Sequence, residues 1–79
     1  MTVTLKFFAS VREMVGARTQ AVEVAEGTTL GDLFQSYVDK YPRLGNMGLA
    51  YAVNHEYSNK SRELKDGDEI AFIPPVSGG

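Results

Sequence analysis

The chain has 79 residues, 43% of them hydrophobic, and no cysteine. This composition predicts one domain with one core and excludes disulfides, thiol nucleophiles and thiolate metal ligands. A net charge of −2 with interspersed signs excludes the basic footprint of a nucleic-acid or membrane-surface protein. Because no apolar run reaches the ~18 residues of a membrane span and the first ten residues lack a signal-peptide pattern, we expect a cytoplasmic protein.

The N-terminal third of the chain predicts two strands separated by a short helical turn. In TVTLKFFA, residues 2–9, apolar and polar residues alternate, which places Phe8 on the polar side. SVREMVGA predicts one helical turn, which we expect Ser10 to cap and Gly16 to end. QAVEVAE alternates again and predicts a second strand, closed by Gly27.

TTLGDLFQSYVDKYP predicts the main helix. Thr29 and Asp32 have capping-box spacing, and Pro42 disfavours helical geometry at the residue before it. Between these signals, apolar residues recur at helical spacing and form one stripe: Leu30, Leu33, Phe34, Tyr37, Val38 and Tyr41. We therefore expect the helix to begin near Thr29 and to pack four of these side chains on a sheet: Leu33, Phe34, Tyr37 and Val38.

The second half of the chain predicts the remaining strands. RLGNMG is typical of a glycine-rich loop, LAYAVN of a third strand, and NHEYSNKSRE of a turn with a very short strand around Tyr57. Asp66-Gly67 is a turn signal. EIAFI then predicts a last strand, which ends where Pro74 and Pro75 remove donors from the ladder.

These elements predict an α+β domain in two layers, a mixed sheet of four to five strands with one main helix on one face. Because the first and last strands are the most apolar, we expect them to lie side by side at the centre of the sheet. One helix covers one face only, so the other face should stay partly open to water.

The sequence offers no autonomous active site. His55, the single histidine, lies in a polar turn and is interpreted as a solvated loop residue. The acidic run from Asp66 to Glu69 lacks the length and closing glutamate of an EF-hand, and a hairpin turn explains it better. Since no metal-ligand spacing, nucleotide-binding loop or paired nucleophile is present, we expect no bound metal or cofactor and no enzyme activity of the chain alone.

Apolar residues on the open face are not needed for the core. Alternation places Phe8 and Ile73 on that face, and a strand around Tyr57 would add a second aromatic ring. An exposed aromatic cluster on an open sheet is typical of a partner-binding site. We therefore predict that these three residues bind a partner.

The last six residues, PPVSGG, form a stiff exit followed by a slender tip. Pro74 and Pro75 hold the exit extended, and we count them among the partner-binding residues. The tail itself spans at most roughly 13–14 Å and consists of Val76, Ser77, Gly78 and Gly79. Glycines carry no Cβ, so the terminal carboxylate could pass through a narrow channel, where an external enzyme could activate it as an acyl-adenylate.

Several motifs together resemble one known family: LKFFASVREMVG, the Thr-Thr-Leu-Gly-Asp-Leu helix entry, Ala52-Val53-Asn54 and above all LKDGDEIAFIPPVSGG. They are similar to the ubiquitin-like β-grasp sulfur carriers, most closely to molybdopterin synthase small subunits. The resemblance covers essentially the whole chain. It implies a β-grasp domain over residues 1–75 and a flexible functional tail over residues 76–79.

The resemblance also implies a sulfur carrier in molybdenum or tungsten cofactor biosynthesis. In that family an E1-like adenylating enzyme uses ATP and magnesium to adenylate the terminal glycine, here Gly79, and a sulfur donor converts it to a thiocarboxylate. The tail then enters the large catalytic subunit of molybdopterin synthase and gives its sulfur to a cyclic pyranopterin. The partner-contacting positions of the family match Phe8, Tyr57 and Ile73, with Tyr57 at a position that is often aliphatic.

Other sulfur carriers share the fold and the terminal Gly-Gly. Carriers for thiamine thiazole, cysteine synthesis or tRNA thiolation therefore stay open, although the thiamine carrier usually lacks the VREMVG turn. A protein-conjugating modifier is a further alternative. A different class is an interaction module whose tail has no chemical role.

Overall fold

The computed structural model describes residues 1–75, so the predicted functional tail, residues 76–79, lies outside the described residues. In chain order the elements are β1 (Thr2–Phe7), α1 (Ala9–Val15), β2 (Thr19–Glu23), α2 (Leu30–Lys40), a 3-10 helix (Pro42–Asn46), β3 (Ala50–Val53), β4 (Glu56–Ser58) and β5 (Glu69–Ile73). The five strands form one sheet in the order β2-β1-β5-β3-β4. The predicted α+β fold is confirmed, and β1 and β5 lie side by side and parallel.

Alternation along β1 and β5 decides which face of the sheet is buried. The parallel register pairs Leu5 with Ile70 and Phe7 with Phe72. All four side chains are 3% exposed or less. The core therefore lies against the centre of the sheet, and the opposite face of β5 carries the smaller Ala71.

Helix α2 covers the buried face and begins where the sequence predicts. The Thr29 hydroxyl accepts a hydrogen bond from the Asp32 N–H, and the Asp32 carboxylate accepts one from the Thr29 N–H, both at 3.1 Å. This capping box satisfies two N–H groups that the helix cannot pair internally. The stripe then faces the sheet, fully buried at Leu30, Leu33, Phe34 and Tyr37 and half-buried at Val38 and Tyr41.

Two local predictions are wrong. Ser10 does not cap α1, because the seven-residue helix begins before it and Phe8 occupies the N-cap. The Phe8 carbonyl accepts a hydrogen bond from the Val11 N–H at 3.0 Å. Residues 42–46 form a 3-10 helix where a loop is predicted, because Leu44 is buried in the core. Gly16 ends α1 as predicted, with a φ of 83° that favours glycine.

The turn before β5 also differs in part from its prediction. Asp66 and Gly67 form a turn as expected, with Gly67 at a φ of 84°. The turn is not a hairpin, however, since β5 pairs with β1 and β3 and not with the strand before it.

Within residues 1–75 every helix is too short or too polar to cross a membrane.

Candidate functional site

The face of the sheet opposite α2 carries a shallow groove of about 260 Å³. Its floor follows from the strand register, which sets Ala71 of β5 beside Ala52 of β3. The same row continues to Lys6 on one side and to Tyr57 on the other. The two alanine methyl groups therefore form a low floor between longer side chains.

The three apolar residues predicted for the open face line this groove together. Within residues 1–75, Phe8 and Tyr57 are the large apolar residues that stay exposed, at 45% and 80%. Ile73 is half-buried at the end of β5, where the chain leaves the sheet through Pro74 and Pro75. Phe8 directly follows β1 and does not belong to it, but it still borders the open face. That these residues bind a partner stays a prediction.

Charged side chains form the other end of the groove. The Oε1 atom of Glu69 lies 3.1 Å from the Nζ atom of Lys6 and 3.4 Å from the Nε2 atom of His55. The His55 side chain is 81% exposed, which agrees with its interpretation as a solvated loop residue. Sequence reasoning missed its position on the groove, although a two-residue connection between β3 and β4 would have indicated it.

A hydrogen-bonded frame holds this end of the groove in place. Asn54 and His55 form the β3–β4 turn with φ values of 51° and 71°. The Asn54 amide donates to Asp68 at 2.9 Å and accepts from the Glu69 N–H at 2.9 Å. Asp68, 8% exposed, also accepts from the Lys65 N–H at 2.8 Å. Asp68 and Glu69 of the acidic run thus tie the β3–β4 turn to the start of β5. Residues 1–75 contain no cluster of three His, Cys, Asp or Glu residues that could hold a metal ion.

Comparison with known proteins identifies relatives along the full chain. The model of the ThiS family matches residues 5–79. The molybdopterin synthase sulfur carrier subunit of Chlamydomonas reinhardtii is 36% identical over 100% of both chains. The subunit of the same name from Escherichia coli is 42% identical, with 98% of this chain and 99% of the relative aligned.

Solved structures agree with these relatives. Small archaeal modifier protein 1 of Haloferax volcanii matches with a TM-score of 0.82 and 27% identity, over 95% of this chain and 98% of that one. In the complex of subunits 1 and 2 of the molybdopterin-converting factor from Helicobacter pylori, a chain matches with a TM-score of 0.69 and 27% identity over 100% of both chains. With its family match, its relatives and its fold in agreement, the chain belongs to the ThiS family of ubiquitin-like β-grasp sulfur carriers.

Proposed function

We propose that the chain is the sulfur carrier subunit of a molybdopterin synthase. Its main support is the full-length similarity to subunits of that name from an alga and a bacterium. The Helicobacter pylori complex of two subunits supports the large subunit of molybdopterin synthase as the partner. The chain therefore acts as a donor within a sulfurtransferase complex and not as an enzyme on its own.

The carboxylate of Gly79 is the reactive group. An E1-like adenylating enzyme, which uses ATP and magnesium, joins this carboxylate to the AMP part of ATP and releases pyrophosphate. A sulfur donor then displaces AMP, so one carboxylate oxygen is replaced by sulfur and a thiocarboxylate results. Because glycine has no Cβ, Gly78 and Gly79 can enter the narrow active site of the large subunit, where the sulfur passes to a cyclic pyranopterin.

The groove and the exit from β5 form the surface by which the partner enzymes hold the domain. Phe8 and Tyr57 supply exposed aromatic area, and Ile73 lines the groove at the end of β5. Pro74 and Pro75 follow Ile73 in the chain and lead to the root of the tail. Partner binding at this place sets the tail at a fixed distance from the partner's active site. ATP and magnesium belong to the adenylating enzyme and not to this chain.

Intact-mass measurement tests the proposal. After incubation with the adenylating enzyme, ATP, magnesium and a sulfur source, the mass should rise by the difference between sulfur and oxygen, mapped to the last peptide. Deleting Gly79, or adding one residue after it, should abolish the increase at unchanged melting temperature, because the change lies beyond β5. Omitting the adenylating enzyme is the control. Normal molybdopterin synthesis by a chain truncated before Gly78 would overturn the proposal.

A protein-conjugating modifier is the second candidate, favoured by the similarity to small archaeal modifier protein 1. A modifier needs the same adenylation but ends in an amide bond to another protein. Mass spectrometry of cell extracts should then find the chain's last glycines attached to lysines of other proteins. For a dedicated sulfur carrier we expect the thiocarboxylate and no such conjugates.

A further inference from the structure

We propose that the outer edge of strand β2 pairs with the same edge of a second copy of this chain, so that two sheets join into one. β2 is an end strand of the sheet, with β1 as its neighbour on one side. The pairing is antiparallel and centred on Ala21. It goes beyond the proposed function, because β2 contributes no residue to the groove of the open face and lies apart from the tail.

The hydrogen bonds between β1 and β2 show which backbone groups of β2 face outward. The Val24 N–H donates to the Met1 carbonyl at 2.8 Å, and the Met1 amine donates to the Val24 carbonyl at 2.9 Å. At the other end of the strand, the Phe7 N–H donates to the Arg18 carbonyl at 2.9 Å. In an antiparallel ladder such pairs recur at every second residue, so the even-numbered residues of 18–24 face β1.

The odd-numbered residues of β2 therefore direct their N–H and C=O groups away from the sheet: Thr19, Ala21 and Glu23. In the part of the chain that the structure describes, no strand lies on that side of β2. Proteins usually protect such an edge by a short strand, a bulge, a proline or a charge. The opposite edge strand, β4, has only three residues, whereas β2 has five and carries its one charge at its last residue. The edge of β2 is therefore open to pairing with a further strand.

The sequence of β2 matches itself in the antiparallel direction. With Ala21 opposite Ala21 of the second copy, Thr19 stands opposite Glu23. Each outward N–H group then meets an outward carbonyl group. The small side chains of Ala21 lie side by side at the two-fold axis, and no like charges stand directly opposite each other. An interface with two-fold symmetry requires this self-complementarity, which favours a second copy over an unrelated strand.

A cleft between β2 and α2 provides room for side chains of the second copy. It has a volume of about 430 Å³. Three residues of each element line it: Gln20, Ala21, Val22, Ser36, Tyr37 and Lys40. The Tyr37 hydroxyl donates to the Gln20 side chain at 2.6 Å, which places Gln20 on the side of the sheet that α2 covers. In the proposed register Val22 of the second copy stands opposite Gln20 on this side, and pairing removes more of its half-buried side chain from water.

Ala21→Pro tests the backbone pairing. Proline removes the N–H of residue 21, which faces away from β1, so the β1–β2 ladder keeps its hydrogen bonds and the variant should fold. In the dimer the same change removes one hydrogen bond from each copy at the two-fold axis. Sedimentation velocity of the full-length chain at increasing concentrations should show a dimer whose dissociation constant rises about tenfold or more in Ala21→Pro. Ala21→Ser keeps the N–H and a small side chain, and as the matched control it should stay within about twofold of wild type.

Charge substitutions at the same residue test the symmetry. Ala21→Glu places two carboxylates next to each other in the dimer, and Ala21→Lys places two ammonium groups there. Each variant alone should dimerise about fivefold more weakly than wild type. Mixed in equal amounts, the two variants should form a heterodimer at least as tight as the wild-type dimer, because opposite charges then face each other. This rescue requires a pairing that sets residue 21 beside residue 21 of the other copy.

The outcomes separate this inference from the proposed function. A wild-type chain that stays monomeric at every concentration overturns the inference, while the sulfur-carrier proposal stands. A wild-type dimer that Ala21→Glu, Ala21→Lys and Ala21→Pro all leave intact overturns it as well, and its loss in Phe8→Ala would place the contact on the open face. Should thermal melting show that Ala21→Pro is unfolded, the two charge variants and their mixture decide. Thiocarboxylate formation should be equal in Ala21→Glu and wild type, so its failure in wild type overturns the proposed function alone.

Discussion

Two adjacent phenylalanines occupy opposite environments because side chains alternate along a strand and its extension. Phe7 is 3% exposed, and its ring centroid lies 6.2 Å from that of Phe72 in the core. Phe8 is 45% exposed and borders the groove. The pair therefore allows the contribution of an aromatic ring to stability to be tested separately from the contribution to partner binding that we propose for Phe8.

Phe8→Ala should weaken binding to the large subunit with little change in melting temperature, because its ring contributes mainly to the open face. Phe7→Ala is the matched control and should lower the free energy of unfolding by about 3–5 kcal/mol, the cost of removing a buried ring. Calorimetric binding and thermal unfolding measure the two effects. A large loss of stability in Phe8→Ala with unchanged affinity would contradict the assignment of the faces.

Tyr37 should make the free energy of unfolding depend on pH in the alkaline range. Burial, and to a lesser degree the nearby Tyr41, raise the pKa of its phenol, which donates a hydrogen bond to the Gln20 side chain at 2.6 Å. A pKa raised in the folded state favours the neutral phenol. The corresponding stability is complete below the unfolded pKa of about 10 and is lost as the pH rises through the folded value.

Urea unfolding between neutral and strongly alkaline pH tests this dependence. The free energy of unfolding should fall above about pH 10 in wild type, and less steeply in Tyr37→Phe. Part of the slope should remain, since burial also raises the pKa of Tyr51. At pH 7, Tyr37→Phe should cost about 1 kcal/mol for the lost hydrogen bond. Identical slopes in the two proteins would show that Tyr37 does not couple ionisation to folding.

At the scale of elements, α2 provides the largest part of the second layer of the core. Leu33 and Phe34 are both buried, and the Phe34 ring lies 5.3 Å from that of Phe72 in an edge-to-face contact. Leu33→Ala and Phe34→Ala should each lower the free energy of unfolding by about 2–5 kcal/mol. Gln35 lies on the exposed face of the same helix, and Gln35→Ala should change the free energy of unfolding by less than about 0.5 kcal/mol. Equal denaturant midpoints for the three variants would contradict the assignment of Leu33 and Phe34 to the buried face of α2.

The elements that the sequence predicts well are those whose signals are local. Thr29 and Asp32 mark the start of α2 by their spacing, and the capping box forms between them. The start of α1 depends instead on where β1 stops. The Phe7 N–H still pairs with the Arg18 carbonyl at 2.9 Å, so the chain is held extended through Phe8 before the helix begins. Ser10 has a side chain that suits an N-cap, but it lies within α1 and not before its first residue.

The 3-10 helix shows a second limit of local reasoning. Its last two residues, Gly45 and Asn46, are of types that are typical of a loop. Leu44 between Pro42 and these residues is 1% exposed, so burial against the core folds the segment into a tight helix. The sequence does not show which face of such a short segment meets the core.

At the scale of the whole molecule, the groove was predictable only in part. Alternation within single strands places Phe8 and Ile73 on the open face without reference to any other element. The floor arises from the pairing of Ala52 with Ala71, and its polar end from Lys6 next to Glu69. These pairs join segments that are distant in sequence, and their register is set by the assembled sheet.

The parallel pairing of β1 with β5 also has a consequence for how the protein is made. β5 is the strand that connects the β2–β1 pair to the β3–β4 pair, so the sheet stays in two separate halves until the ribosome has delivered residue 73. Closing such a non-local pair costs loop entropy that the earlier strands cannot offset on their own. We therefore expect a chain that ends before β5 to stay unfolded and open to proteolysis. Because Glu69, Ala71 and Ile73 of β5 line the groove, the groove is complete only in a chain that has been synthesised at least through β5, the strand that precedes the tail.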